Sequence, residues 1–374
     1  MLTSIALYAF RNYMKESVAL EPGVNLFLGA NAQGKTNLLE AIYLAATSRS
    51  PRASVLAEMV MWEQAGGRVV MEFGEGDAAR SQSSRSIEVR LERDPGSSRT
   101  RRTLRLDERP ASPAKISGLV RTVLFHPEEM TLLRGSGEPR RKLVNGVLTQ
   151  LDVAYAENLS RYTRLLEQRN QLLKRVAEDI EPASALDWWT DELSRVGGDI
   201  MERRAAFLMD IAQRISRRYA EVAPGEHLDV GYVPSFDPGD DAAAAMASTL
   251  RGRQREELAR GVTVAGPHRD DIEFRLGGVA AAAHASQGQQ RTAILAFKLA
   301  EVEVLGMGGR APVLLLDDVM SELDAPRRQH LLELIEESPQ SVITSAESRY
   351  FPDGFAARVN TREVNGGRVR NWNA

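Results

Sequence analysis

With 374 residues, 43% of them hydrophobic, the chain can bury a substantial core and has room for two or three domains. It contains no cysteine, which excludes a disulfide framework and thiolate metal sites, and its net charge of −3 excludes a uniformly basic surface while allowing a local basic face. The first eight residues carry no basic leader, and no apolar run reaches the roughly 18–20 residues of a membrane helix, so a soluble, cytoplasmic protein with no membrane partner is expected.

In chain order, Leu2, Ile5, Leu7 and Phe10 space a first strand, and Val24 to Leu28 is a short apolar run of the buried kind. From Thr36 onward Leu38, Leu39, Ile42 and Ala46 recur at helical spacing. Residues 68–125 alternate in β fashion, interrupted by a Gly/Ser/Arg-rich turn near Asp94 to Arg99. Two long helices are expected, at about Arg140 to Val176 and Trp188 to Val222, then a Pro/Gly/Asp loop from Pro234 to Gly239. The alanine run at 242–245 reads as a helix start, and α/β character returns after about Val262. Between Arg80 and Lys115 there are ten Lys or Arg against five Asp or Glu, and a second cluster comprises Arg134, Arg140, Arg141 and Lys142. Solvated surface charge accounts for such clusters as readily as a phosphate-binding face does.

The strongest chemistry lies at Gly29-Ala30-Asn31-Ala32-Gln33-Gly34-Lys35-Thr36-Asn37, which contains G-x4-G-K-[ST] between an apolar strand and an amphipathic helix. Glycines let the backbone wrap around phosphate, and the helix N-terminus turns its amides toward it. Lys35 adds charge at the β/γ-phosphates of a nucleotide, and the Thr36 hydroxyl can ligate Mg²⁺. Far downstream, Pro312 to Leu316 is fully apolar and ends in Asp317 and Asp318. Asp317 is the metal candidate, and Asp318 is placed to orient or deprotonate the attacking water.

Two further elements stand in a telling order. Ser286-Gln287-Gly288-Gln289-Gln290-Arg291 opens an apolar helix and offers a second anion site, in which Ser286, Gly288 and Gln289 are nucleotide-binding candidates. Ser321-Glu322-Leu323-Asp324 follows directly after the acid strand. Phosphate loop, serine–glycine helix start, acid strand and S-E-L-D resemble the order of ABC-type ATPases. That resemblance implies ATP held between two subunits, hence an ATP-dependent homodimer, with Thr344 after the next strand as a catalytic switch residue.

The chain resembles the RecF family over nearly its whole length. The resemblance is carried by Phe10-Arg11-Asn12-Tyr13, Phe125-His126-Pro127-Glu128-Glu129 and Gly137-Glu138-Pro139-Arg140-Arg141. It continues through Gln168 to Lys174, Gly266-Pro267-His268-Arg269-Asp270-Asp271 and Leu314 to Asp324. It implies ATP and Mg²⁺ as cofactors and binding to gapped duplex and single-/double-strand junction DNA. It also implies weak hydrolysis for release, and cooperation with RecR and RecO in loading RecA. Arg11 and Asn12 become candidates for base or ribose contact. His126 departs from the family, which often carries a small residue there, and is expected to lie outside the core chemistry. A structural or coupling role is expected for His268 to Asp271.

The fold class expected is α/β: an ABC-type ATPase head from residues 1–125 and 262–374, with a β portion around 60–125 and a helical arm over 126–261. The separation of 257 positions from Gly29 to Ser286 accommodates these insertions but not a long coiled coil. Arg101, Arg102, Arg140 and Arg141 are the candidate DNA contacts, directed at phosphates. Two other classes share parts of the pattern. A transporter ATPase subunit would co-purify with a membrane protein; a monomeric kinase or GTPase would be supported by phosphorylation of a metabolite, and would leave Ser286 to Arg291 and Ser321 to Asp324 unexplained.

Overall fold

The computed structural model describes residues 1–74, 84–94, 96 and 99–372. In chain order it begins with β1 (Leu2–Phe10), β2 (Tyr13–Ala19), β3 (Gly23–Leu28) and α1 (Lys35–Thr47). Next come β4 (Gly66–Phe73), β5 (Arg85–Arg93), β6 (Thr100–Leu106), β7 (Arg109–Pro110), α2 (Pro113–Ile116) and β8 (Thr122–Phe125). A largely helical stretch then runs through α3 (Gly137–Leu151), α4 (Val153–Ala177), α5 (Leu186–Val222), β9 (Leu228–Val233), α6 (Ala242–Gly252), α7 (Gln254–Arg260), β10 (Asp271–Leu276), β11 (Val279–Ala280), α8 (Ala281–His284) and α9 (Gln287–Gly306). The chain ends with β12 (Val313–Asp317), α10 (Ala325–Glu337), β13 (Gln340–Ser345), α11 (Phe355–Arg358), β14 (Asn360–Asn365) and β15 (Arg368–Asn371). Two compact units result, Met1–Met130 with Glu301–Ala374, and Thr131–Ala300.

The first unit holds two six-stranded sheets, ordered β2-β1-β4-β5-β6-β7 and β15-β14-β3-β13-β12-β8. The former is antiparallel throughout; the latter is parallel except for β15. One core joins Ile5, Leu7, Val69, Met71, Ile87 and Val89 of the first sheet to Phe27, Leu315, Val342 and Val364 of the second. Helix α1 supplies Leu38, Leu39, Ile42, Leu44 and Ala45 to the same cluster. A helix apolar on nearly every side suits burial between two sheets.

In the second unit α4 and α5 pair as a long hairpin, α5 running for 37 residues. The first expected helix is divided at Asp152, whose extended backbone ends α3 and whose carboxylate accepts the Tyr155 N–H to cap α4. Arg169 and Glu257 form a buried bidentate pair, and Thr263 and Thr190 accept from Arg169 Nη1 and Nε. Asp241 caps α6, so the alanine run does start a helix.

Two boundaries differ from those expected. Residues 262–300 group with the helical unit, because β10 pairs with β9 in a three-stranded sheet and Asp271 binds Arg140. The antiparallel sheet also begins at residue 2, while β8 joins the parallel sheet. The β portion placed at 60–125 is therefore made of 2–19 with 66–110. Of the expected turn near Asp94 to Arg99, residues 95, 97 and 98 lie outside the described residues, as do residues 80–83 of the basic stretch.

Candidate functional site

The parallel sheet aligns its carboxyl ends by register. Phe27 and Leu28 of β3 stand beside Thr344 and Ser345 of β13, Thr344 beside Asp317 of β12, and Leu316 beside Phe125 of β8. Ligands of open α/β sheets lie at these ends. From β3 the chain enters residues 29–34 and then α1, whose cap Gly34 has φ +116. A Cβ at Gly34 would lie 2.7 Å from Asn12 Nδ2, so both the dihedral and the close approach require glycine. The adjoining cavity, about 580 Å³, is lined by Gly29, Ala30, Ala346, Arg349 and Trp372 among others.

Lys35 is 6% exposed, and its ammonium donates to the Gly29 and Ala30 carbonyls at 2.6 and 2.9 Å. Burial lowers its pKa, with Asp318 and Asp317 opposing that shift. The Thr36 hydroxyl donates to Asp317 Oδ1 at 2.9 Å. Asp318 has φ +50, a left-handed position that Asp tolerates better than most residues. Burial raises the Asp318 pKa, offset by the Ala346 N–H and by Lys35. Loop, lysine, threonine and both acids thus converge as expected from the sequence.

Thr344, the switch candidate, ends β13 beside the acid strand. It is fully buried, and its hydroxyl lies 2.8 Å from Asp317 Oδ1 and also reaches the Leu316 carbonyl. In this arrangement its hydroxyl holds the acid. Arg11 and Asn12 do stand at the loop. Asn12 donates to the Gln33 carbonyl at 3.0 Å and accepts from Asn37 at 2.8 Å. Arg11 reaches the same region through a bidentate pair with Glu40 of α1.

Several contributors were missed. The Tyr13 hydroxyl donates to the Gly34 carbonyl at 3.0 Å. Gly366 and Gly367, at φ +54 and +73 in the β14–β15 turn, donate their N–H groups to Gln33. Asn365-Gly366-Gly367 is a hairpin-turn pattern legible in the sequence. His126, expected to lie outside the core chemistry, instead has Nε2 3.6 Å from Asp317 Oδ2. Its position directly after an apolar parallel strand was the available signal.

In the second unit Ser286 and Gln289 form a reciprocal capping box at the start of α9. Ser286 is exposed, Gly288 and Gln289 partly so. Of the four arginines assigned to DNA, Arg140 is corrected: it is 7% exposed and clamps Asp271 through two bonds of 2.9 and 2.7 Å. Arg102 donates to the Ser48 carbonyl, and burial lowers its pKa. Arg141 donates to the Asp270 carbonyl at 2.5 Å and is likewise lowered by burial. Arg101 is exposed on β6. His268 donates Nε2–H to the Thr263 carbonyl and accepts the Tyr162 hydroxyl at Nδ1. Among the described residues no group of three His, Cys, Asp or Glu gathers that could hold a metal, and no helix is long and apolar enough to cross a membrane.

Comparison with known proteins extends the geometry. The RecF/RecN/SMC N terminal domain family matches residues 1–366. A protein of Chloroflexus aggregans named DNA replication and repair protein RecF is 37% identical over 386 residues, covering 98% of each chain. A solved structure of the recombination mediator protein RecF-ATP in the RecFOR pathway superposes with TM-score 0.86 at 29% identity, over 100% of this chain and 97% of that one. An SMC head bound to the C-winged helix domain of ScpA matches with TM-score 0.52 at 17% identity, over 99% and 96% of the two chains, which speaks to fold alone. The fold is that of an ABC-type ATPase head with an inserted β-sheet and a helical unit, and the chain belongs to the RecF family.

Proposed function

We propose that the chain binds ATP with Mg²⁺ at residues 29–37 and acts as an ATP-dependent DNA-binding protein of recombinational repair. It closes as a homodimer around nucleotide and reopens on slow hydrolysis. The observation that carries this reading is the meeting of Thr36 and Asp317, 281 residues apart in sequence, at 2.9 Å beside a glycine loop. A hydroxyl and two carboxylates are hard oxygen donors, which fit Mg²⁺ because that ion takes few protein ligands beside phosphate. Thr36 and Asp317 would hold the cation, which would supply neutralisation of the phosphate charge.

Lys35 turns from its two carbonyls toward the β/γ-phosphates, and Asp318 orients the attacking water and accepts its proton. Arg11 and Asn12 border the base or ribose. Ser286, Gly288 and Gln289 serve the nucleotide bound by a second copy. The relatives, a DNA replication and repair protein and a RecF solved with ATP in the RecFOR pathway, support nucleotide and DNA as ligands. DNA is taken at gaps and single-/double-strand junctions, RecR is the direct protein partner, RecO and RecA are served indirectly, and the protein works in the cytoplasm. Arg101 is the phosphate-directed contact retained from the sequence.

The test is the mass of the purified protein in solution with and without ATP and Mg²⁺, for the wild type, Lys35→Met and Ser286→Arg. The expected result is a dimer only with ATP, absent in both variants. A wild type that binds ATP yet stays monomeric at micromolar concentration, with or without DNA, overturns the clamp.

A further inference from the structure

We infer that His126 is a positioning residue of the nucleotide site, holding the Asp317 carboxylate for the divalent cation. The inference rests on the reading of Asp317 as the metal ligand. Strand β8 pairs in parallel with β12, with Leu316 opposite Phe125, so the next residue of each strand emerges at the same edge. His126 and Asp317 meet there, their side chains 8% and 6% exposed.

The ring is oriented from behind. The Glu128 backbone N–H donates to His126 Nδ1 at 3.2 Å, which leaves the ring proton on Nε2. That nitrogen faces Asp317 Oδ2 at 3.6 Å, one small ring or carboxylate rotation from a hydrogen bond. The other carboxylate oxygen, Oδ1, is contacted by the hydroxyls of Thr36 and Thr344 at 2.9 and 2.8 Å. Three segments, α1, β13 and the end of β8, therefore hold one carboxylate from two sides. Because Thr36 and Thr344 both address Oδ1, they leave rotation about the carboxyl axis less constrained, and His126 is the group that addresses Oδ2. Partners of this kind fix the rotamer of a ligating carboxylate, and their loss typically weakens metal affinity about 10- to 100-fold.

The experiment measures Mn²⁺ affinity by electron paramagnetic resonance on the full chain with the non-hydrolysable analogue AMP-PNP. Affinity for AMP-PNP in EDTA and the thermal midpoint are measured in parallel. His126→Ala should weaken Mn²⁺ about tenfold or more while leaving metal-free nucleotide binding and the midpoint unchanged. His126→Gln, which keeps an N–H donor, should recover most of that loss. Unchanged Mn²⁺ affinity in His126→Ala overturns the inference. So does a parallel loss of metal-free binding and thermal stability in both variants, which would mark a purely structural residue. A wild type that binds no AMP-PNP would instead refute the nucleotide reading itself, so the two failures are distinguishable.

Discussion

Asp318 combines a left-handed backbone, partial burial and a pKa raised by that burial at the end of an all-buried strand. Asparagine tolerates the same backbone, so Asp318→Asn removes the proton acceptor without a steric change. We expect the variant to bind ATP and dimerise while phosphate release slows about 100-fold or more, the usual contribution of a positioned base. Unchanged phosphate release would exclude Asp318 as that base. His268 gives a stability prediction of defined sign. Burial pushes its pKa down from 6.5 to about 4, and its neutral ring satisfies both Thr263 and Tyr162. The unfolded chain therefore takes the proton first, and the associated stability is present above pH 6.5 and lost as pH falls toward 4. At about 1.4 kcal/mol per unit the loss is on the order of 3 kcal/mol. Urea denaturation at pH 7 and pH 5 should show a much smaller drop in His268→Gln than in the wild type.

At the scale of elements, α5 carries Gly197 and Gly198 where α6 crosses it. A Cβ at Gly198 would lie 2.7 Å from the Ala243 backbone nitrogen, and one at Gly197 would lie 2.7 Å from Met246 Sδ. Glycine inside a helix ordinarily weakens it, so this pair is there for close approach. Gly198→Ala should destabilise the protein by about 1–3 kcal/mol through overpacking against backbone. Gly252→Ala, in open space at the end of α6, should be neutral or gain up to about 1 kcal/mol. Equal thermal midpoints for the two variants would show that α5 and α6 can part without cost.

For the molecule as a whole, the proposed DNA contact can be tested apart from the arginines that hold the fold. Arg101 is exposed, whereas Arg140 spends its guanidinium on Asp271 and nearby carbonyls. Arg101→Ala should weaken binding to a gapped duplex regardless of sequence and reduce the slope of log affinity against log salt by about 1. It should leave the thermal midpoint unchanged. Arg140→Ala should do the reverse, costing roughly 1–3 kcal/mol of stability for a lost charge-assisted pair. If Arg101→Ala leaves the salt slope intact, the outer face of the antiparallel sheet is not where DNA is held.

The sequence by itself determined the phosphate loop, the acid strand, the capped helix at Ser286 and the class of fold, because each is a local pattern. A glycine run, an unbroken apolar strand and a Ser-x-x-Gln box need no distant partner to be read. Where the units divide was not legible, because whether residues 262–300 belong to the head or the helical unit depends on β10 finding β9. Nor was the commitment of Arg140, Arg102 and Thr344 to internal partners, since burial and pairing arise from residues far away in the chain. His126 makes the same point. Only the parallel register of β8 on β12 brings an isolated histidine against Asp317. Tertiary pairing decides which polar groups face a ligand and which hold the fold, because a charge is free for function only where nothing inside the protein has already neutralised it.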